Sequence, residues 1–235
     1  GSVKGVATGD MGVSREMEAK DSWEAGMELH AKFTLFSEGT RGSLSKFLID
    51  NFNLSEGKDF QKYAIGLKEV WEIKEENFSE GLVEHSMGWP LSDGTNGGSF
   101  LYHFDKNLVS IGYVIHLNYT NPYASPFDEF QQFKTHPSVK KTLIGGKRLS
   151  YGARAITTGG YQSVPKLNFP GGALIGCSAG FLNYPKIKGT HNAMESGMLA
   201  AEAIIEKKLS EDENNDLENY QLKYEKSRIF KELKK

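Results

Sequence analysis

Between Gly171 and Ile204 the chain reads GGALIGCSAGFLNYPKIKGTHNAMESGMLAAEAI: a short apolar run, a glycine-rich turn and a long helix of small residues in succession. Ala173, Leu174 and Ile175 do not alternate with polar residues, the pattern of a central strand buried on both faces. Gly176 ends that strand, and the turn Gly176-Cys177-Ser178-Ala179-Gly180 places glycines where backbone has to approach a neighbour closely or take positive φ. Gly189, Thr190 and Asn192 open a helix, and Glu195, three residues after Asn192, completes the spacing of a capping box. Met194, Met198, Ala201 and Ile205 recur at helical spacing, while Gly197, Ala200 and Ala203 keep the other faces slim enough to lie close against a sheet. A helix N-terminus carries about half a positive elementary charge, so a helix opening beside a glycine turn is suited to the phosphate of a cofactor.

With 235 residues, 38% apolar and 25% charged, the chain is long enough for one large or two small domains at about 100 to 200 residues each. A formal net charge of −2 argues against an electrostatic footprint for nucleic acid or anionic lipid. Cys177 is the single cysteine, so neither an internal disulfide nor a cysteine-ligated iron–sulfur cluster can form within the chain. The six histidines are scattered, without metal-site spacing or carboxylate neighbours, and are read as non-ligands. No apolar run approaches the roughly 20 residues of a membrane-spanning helix. Gly1-Ser2 reads as a cloning scar without a targeting segment, and no G-x-G-x-x-G follows a strand. Together these lead to the expectation that the sequence is a piece of a longer chain.

Val3 to Val13 reads as a strand pair interrupted by Gly9-Asp10-Met11-Gly12, and Leu29 to Leu35 alternates as one half-buried strand leading to Glu38-Gly39. A short amphipathic helix follows from Ser43, a cap candidate, through Leu44, Phe47, Leu48 and Phe52. Residues 62–73, 82–89, 98–104 and 108–117 read as successive strands of an antiparallel sheet. Pro126 to Lys134 reads as a helix that His136-Pro137 stops from continuing, and 147–156 as a returning strand. After the long helix come an acidic loop over 210–216 and a final charged helix over 217–235, with Leu217, Tyr220 and Tyr224 on one face. Lys186, Lys188 and the lysines of that last helix read as a solvated face. The segments divide as 1–57, 58–150 and 151–235, the outer two sharing one cofactor lobe and the middle one forming a sheet-rich insertion.

The segment GCSAGFLNYPKIKGTHNAMESGMLAAEAI resembles the C-terminal FAD-binding motif of the electron-transfer flavoprotein:ubiquinone oxidoreductase family. That family is related to the p-hydroxybenzoate hydroxylase and geranylgeranyl reductase flavoproteins. The wider superfamily carries Gly-Asp-Ala-Ala-Gly at this position, whereas Gly176, Cys177 and Ser178 match the narrower family. LFSEGTRGSLSKFL, at 35–48, resembles the family's second flavin-contact motif, with Glu38-Gly39 standing where aromatic hydroxylases carry Asp-Gly. KDFQKYAIGLKEVWEI, HSMGWPL, GGSFLYHF, NPYASPFDEFQQFKTHPSVK and GGKRLSYGARAI are similar, in the same order, to its quinone-binding domain.

The resemblance implies an α/β (α+β) flavoprotein fold with an antiparallel-sheet quinone lobe. It implies FAD contacts from Glu38, Gly39, Gly176, Cys177 and Ser178, and a flavin edge faced by Gly189, Thr190, His191 and Asn192. Gly97 and Gly98 would border ubiquinone. Electrons would arrive from electron-transfer flavoprotein, pass through FAD and a 4Fe-4S cluster ligated by cysteines outside this chain, and leave as ubiquinol. Residence would be peripheral, at the mitochondrial inner membrane or a bacterial cytoplasmic membrane, through segments outside this chain. A geranylgeranyl-reductase-like or FixC-like FAD oxidoreductase, and a non-catalytic flavin-fold module, stay open as alternatives. Gly-Cys-Ser-Ala-Gly also spells G-x-S-x-G, but no acid lies between Ser178 and His191, so the order of a hydrolase triad fails.

Overall fold

In the computed structural model, which describes every residue except Asp93, Glu211, Asp212, Glu213 and Asn215, two units separate: Gly1–Phe60 with Gly159–Lys235, and Gln61–Thr158. The first unit begins with four short strands, β1 (Gly5–Ala7), β2 (Met11–Val13), β3 (Ala19–Glu24) and β4 (Glu28–His30). β1 pairs with β4 and β2 with β3, so β1 and β2 do not form the expected pair. The single strand expected over 29–35 is divided into β4 and β5 (Thr34–Phe36). The division follows from pairing, since the Ala31 amide bonds to Lys4 O and the Thr34 amide to Gly171 O.

β11 (Asn168–Phe169), β12 (Gly172–Leu174) and β5 form a three-stranded sheet with β12 at its centre. β12 is antiparallel to β11 and parallel to β5, with Ala173 opposite Leu35 and Leu174 opposite Phe36. All three β12 residues are buried, as an unalternating apolar run requires of a central strand. α1 (Ser43–Asn51) buries Ser45 and Leu48 and leaves Leu44 and Phe47 exposed. α4 (Thr190–Leu209), α5 (Glu218–Lys226) and α6 (Arg228–Leu233) complete the unit, the last two being separated at Ser227, whose hydroxyl caps α6. Leu217, Tyr220 and Tyr224 are buried together with Leu167, Phe169, Leu174 and Phe181. The acidic loop expected over 210–216 lies largely outside the described residues.

The packed face of α4 is not the apolar stripe. Asn192, Ser196, Ala200 and Ala203 are buried, whereas Met194, Met198 and Ile205 are exposed. Small side chains at three- and four-residue spacing let the α4 backbone approach its neighbours, and long methionines would hold it off. The capping box is also absent: Gly189 is the N-cap without a side-chain bond, and Glu195 pairs instead with Arg228 at 2.9 Å.

In the second unit β6 (Tyr63–Glu72), β7 (Val83–Met87), β8 (Gly97–Phe104), β9 (Leu108–His116) and β10 (Lys147–Thr157) form one antiparallel sheet in the order β10-β6-β9-β8-β7. α2 (Pro126–Phe133) is capped by Ser125, and its Phe130 and Phe133 pack with Val109, Ile111, Tyr113 and Ile115 of β9. His136-Pro137 does not merely end α2. Pro137 opens α3 (Pro137–Leu143) at the position where its missing N–H costs nothing, and the His136 ring accepts from the Ser138 amide.

Candidate cofactor-binding turns

Parallel pairing of β5 with β12 carries two glycine turns to the same end of one sheet, because each turn directly follows the carboxyl end of its strand. In open α/β sheets that end is where ligands bind. The Ser178 hydroxyl donates to Gly39 O at 3.2 Å and ties the two turns together. Gly39 has φ +87 and Gly176 φ +58, conformations that L residues with a Cβ enter at a cost.

Glu38 is exposed, and its carboxylate is already engaged. It accepts from the Leu44 amide at 3.2 Å and from the Ser45 amide and hydroxyl at 2.6 and 2.7 Å. Burial would raise its pKa, but the bonds from Ser45 and Leu44 outweigh that and hold it below the usual carboxylate range. Glu38 therefore caps α1, the role assigned in sequence to Ser43, which is the first helical residue. Gly42 belongs to the same arrangement, since a Cβ there would run into the Glu38 side chain.

Gly176 opens a tight turn through Ser178 that packs against the start of α4. A Cβ on Gly176 would sit 3.3 Å from Ala193 Cβ, so glycine sets the distance between turn and helix. Its amide donates to Ser196 Oγ at 2.9 Å. Cys177 is half-buried and Ser178 buried. On α4, Thr190 is exposed, and Asn192 is fully buried with its Nδ2 donating to Phe181 O at 3.0 Å. The Asn192 Oδ1 is buried without a partner, an acceptor left open in the first turn of the helix.

His191 turns toward α6, with Nε2 2.8 Å from Glu232 Oε1. The same carboxylate accepts from Asn183 Nδ2 at 2.9 Å and lies 3.2 Å from Lys186 Nζ, so Lys186 is not simply solvated. Burial would raise the Glu232 pKa, but the bonds from His191, Asn183 and Lys186 bring it down to about 2. A carboxyl whose folded pKa lies below its unfolded value stabilises the fold above the unfolded value and loses that contribution as pH falls. The thermal midpoint should therefore fall between about pH 4.5 and pH 2. Glu232→Gln should lower the midpoint near neutrality and flatten that segment of the profile. Parallel profiles for the two proteins would remove the assignment.

Gly97 and Gly98 lie in the sheet unit, at the start of β8. A Cβ on Gly98 would come 2.7 Å from Ser86 O, so this glycine permits the close pairing of β7 with β8. Beside these strands is a cleft of about 230 Å³ whose lining includes Trp89, Leu101, Phe133 and His136. Thus the structure gathers Glu38, Gly39 and Gly176 to Ser178 at one strand end and sets the α4 N-terminus against them, while Gly97 and Gly98 belong to the other unit. Ser196 and Glu232 were not singled out in the sequence, and Tyr220 was read there only as a packing residue of the last helix. Of the first two, only Ser196 carried a signal there, a second polar residue four places after Asn192 along a helix face otherwise small and apolar.

Residues 63–156 match the family described as "ETF-QO, ubiquinone-binding". The chain is 56% identical over 213 residues to the mitochondrial electron transfer flavoprotein-ubiquinone oxidoreductase of Rattus norvegicus, covering 90% of this chain and 35% of that protein. It is 53% identical over 235 residues to the Pseudomonas aeruginosa protein of that name, covering 99% and 43%. The chain thus spans between about a third and somewhat over two fifths of the length of these relatives. Among solved structures, a geranylgeranyl bacteriochlorophyll reductase-like protein of Thermoplasma acidophilum matches with a TM-score of 0.59 at 19% identity, over 85% of this chain and 46% of that one. A halogenase, PltM, in complex with FAD matches at 0.56 and 16% identity, over 85% and 41%. At those identities the likeness is one of fold: a flavoprotein fold of the geranylgeranyl reductase type that carries an antiparallel sheet.

Proposed function

Because the chain belongs to the electron transfer flavoprotein–ubiquinone oxidoreductase family, we propose that it supplies part of the FAD site and the quinone-facing sheet of an enzyme that passes electrons from electron-transfer flavoprotein to ubiquinone. The observation that carries this reading is the convergence of the Gly39 and Gly176 turns at the carboxyl ends of two parallel strands, joined by the Ser178 to Gly39 bond. Among residues of this chain, the fit to FAD is favourable. The turns leave room for close approach, the opening amides of α4 lack a side-chain cap, and the Asn192 Oδ1 offers an unused acceptor. FAD, when bound, supplies the electron chemistry.

Gly176, Cys177 and Ser178 would line its ribityl and phosphate region, the Cys177 and Ser178 backbone supplying the donors because the Gly176 amide is taken by Ser196, and Gly39 would close the turn beside them. Gly189, Thr190, His191 and Asn192 form the segment whose helix dipole favours negative charge in front of it. His191 acts there by fastening that segment to Glu232. Glu38 holds its turn in shape through α1. Gly97 and Gly98 would border ubiquinone in the sheet unit. A 4Fe-4S cluster does not fit within this chain, which has one cysteine, and its ligands would lie elsewhere in the protein. Among the described residues no helix is long and apolar enough to cross a membrane. Attachment at the mitochondrial inner membrane or a bacterial cytoplasmic membrane would be peripheral. The long identity through the ubiquinone-binding segment favours this reading over a geranylgeranyl-reductase-like oxidoreductase, for which only the fold speaks.

The test uses the polypeptide carried to the length of its relatives and loaded with FAD. After anaerobic photoreduction, a short-chain ubiquinone should reoxidise the flavin, with ubiquinol formed in equal amount. A flavin that stays reduced under excess quinone would sink the proposal.

A further inference from the structure

Two buried polar side chains of α4, four residues apart, grip the two ends of the Gly176 turn. Ser196 Oγ accepts from the Gly176 amide at 2.9 Å, and Asn192 Nδ2 donates to Phe181 O at 3.0 Å. Both residues are 0% exposed. Ser196 spends its own proton on Ala193 O at 2.7 Å, which leaves the oxygen oriented as an acceptor toward the turn. Two residues before Gly176, Leu174 O accepts from the Tyr220 hydroxyl at 3.2 Å. Tyr220 is also 0% exposed, and burial drives its hydroxyl pKa upward, so it remains a neutral donor.

A helix buried on this face would gain more from apolar residues than from a serine whose hydroxyl has to be desolvated. The hydroxyl is retained where it satisfies a backbone donor that has no other partner, and the Gly176 amide is such a donor. That amide belongs to a residue at φ +58, outside regular secondary structure pairing, in the turn proposed above to meet the cofactor. We infer that Ser196, supported by Tyr220, is a positioning residue for FAD: it fixes the peptide plane at Gly176 so that the amides following it in the turn face the ligand rather than one another. The inference rests on the FAD reading of the two turns and adds to it a residue that touches no ligand.

Ser196→Ala removes the acceptor with almost no change of volume and leaves the Gly176 amide buried and unpaired. In the polypeptide carried to the length of its relatives, stripped of flavin and titrated with FAD, the variant should bind about tenfold more weakly than the wild type. The visible circular dichroism of its bound flavin should change as well. A role confined to stability would lower the thermal midpoints of the flavin-free and flavin-bound proteins equally and leave both the dissociation constant and the spectrum untouched. That result would overturn the inference while leaving the FAD reading in place. A wild-type protein that takes up no FAD would end both. Should Ser196→Ala fail to fold, Tyr220→Phe, which deletes only the hydroxyl on Leu174 O, decides the matter: a weakening of about threefold supports the role, and an unchanged constant removes it.

Discussion

Glu69→Ala is expected to destabilise the sheet unit by about 3 to 5 kcal/mol, the loss that follows when one member of a buried ion pair is deleted. Glu69 lies on β6 with a side chain 2% exposed, and every one of its lone-pair directions is used. Both carboxylate oxygens are 2.9 Å from Lys134 Nζ, Trp71 Nε1 donates at 2.7 Å and Arg148 at 3.2 Å. Burial alone would raise the Glu69 pKa, but the bonds from Lys134, Trp71 and Arg148 outweigh it and hold the group ionised below its usual range. The Lys134 side chain is only 13% exposed and stands over the Phe130 and Trp71 rings, so the alanine variant would strand a desolvated ammonium. Denaturant titration followed by tryptophan emission reads this directly, because Trp71 and Trp89 belong to this unit. Glu69→Gln should fall between the two, keeping the acceptor for Trp71 but losing the charge. A midpoint for Glu69→Ala within experimental scatter of wild type would show that the pair contributes nothing net.

What was legible in the sequence followed from local rules, and what was not followed from pairing and burial. The strands of the sheet unit stood out because Val, Ile, Tyr, Phe and Trp cluster between glycine and charged turns, and β6, β8 and β9 fall within a residue or so of the expected limits. The Ala173-Leu174 strand was legible because a run without alternation has to be covered on both sides. The packed face of α4 was legible only in part, for a physical reason: Ala200 and Ala203 were read as slim enough for close packing, but Asn192 and Ser196 were not read as members of that face. A hydrophobic stripe is the ordinary mark of a packed face, yet here the buried side consists of Asn192, Ser196, Ala200 and Ala203, whose value is their small size and their bonds to a neighbouring turn. No periodicity rule weighs a hydrogen bond to a segment 20 residues away in sequence. Glu232 was invisible for the same reason, since its partners Asn183, Lys186 and His191 come from more than 40 residues upstream. Glu38 shows the opposite case: the residue was found, but as a contact for a ligand, while in the fold its carboxylate satisfies the amides of α1.

Gly176→Val is expected to weaken FAD binding by at least a hundredfold, and Gly176→Ala by about tenfold. Gly176 is at φ +58, where an L residue bears roughly 1 to 2 kcal/mol of steric strain, and a β-branched residue more. A Cβ would also lie 3.3 Å from Ala193 Cβ, tight enough to push the turn and α4 apart by tenths of an ångström. The flavin-free protein can escape both costs by letting the turn relax to negative φ, at the expense of the Gly176 bond to Ser196. Binding cannot, because the ligand would need the turn in its strained form, so the strain is transferred into the dissociation constant at about 1.4 kcal/mol per tenfold. The sequence of effects separates this residue from a merely structural glycine. Gly172, for example, is hemmed in by Thr34 O at 2.6 Å and the Phe169 ring, and substitution there should lower the melting temperature of the flavin-free protein first. For Gly176 the flavin-free protein should melt within a few degrees of wild type while its affinity collapses. Retention of FAD by Gly176→Val within threefold of wild type would mean that the turn does not meet the cofactor.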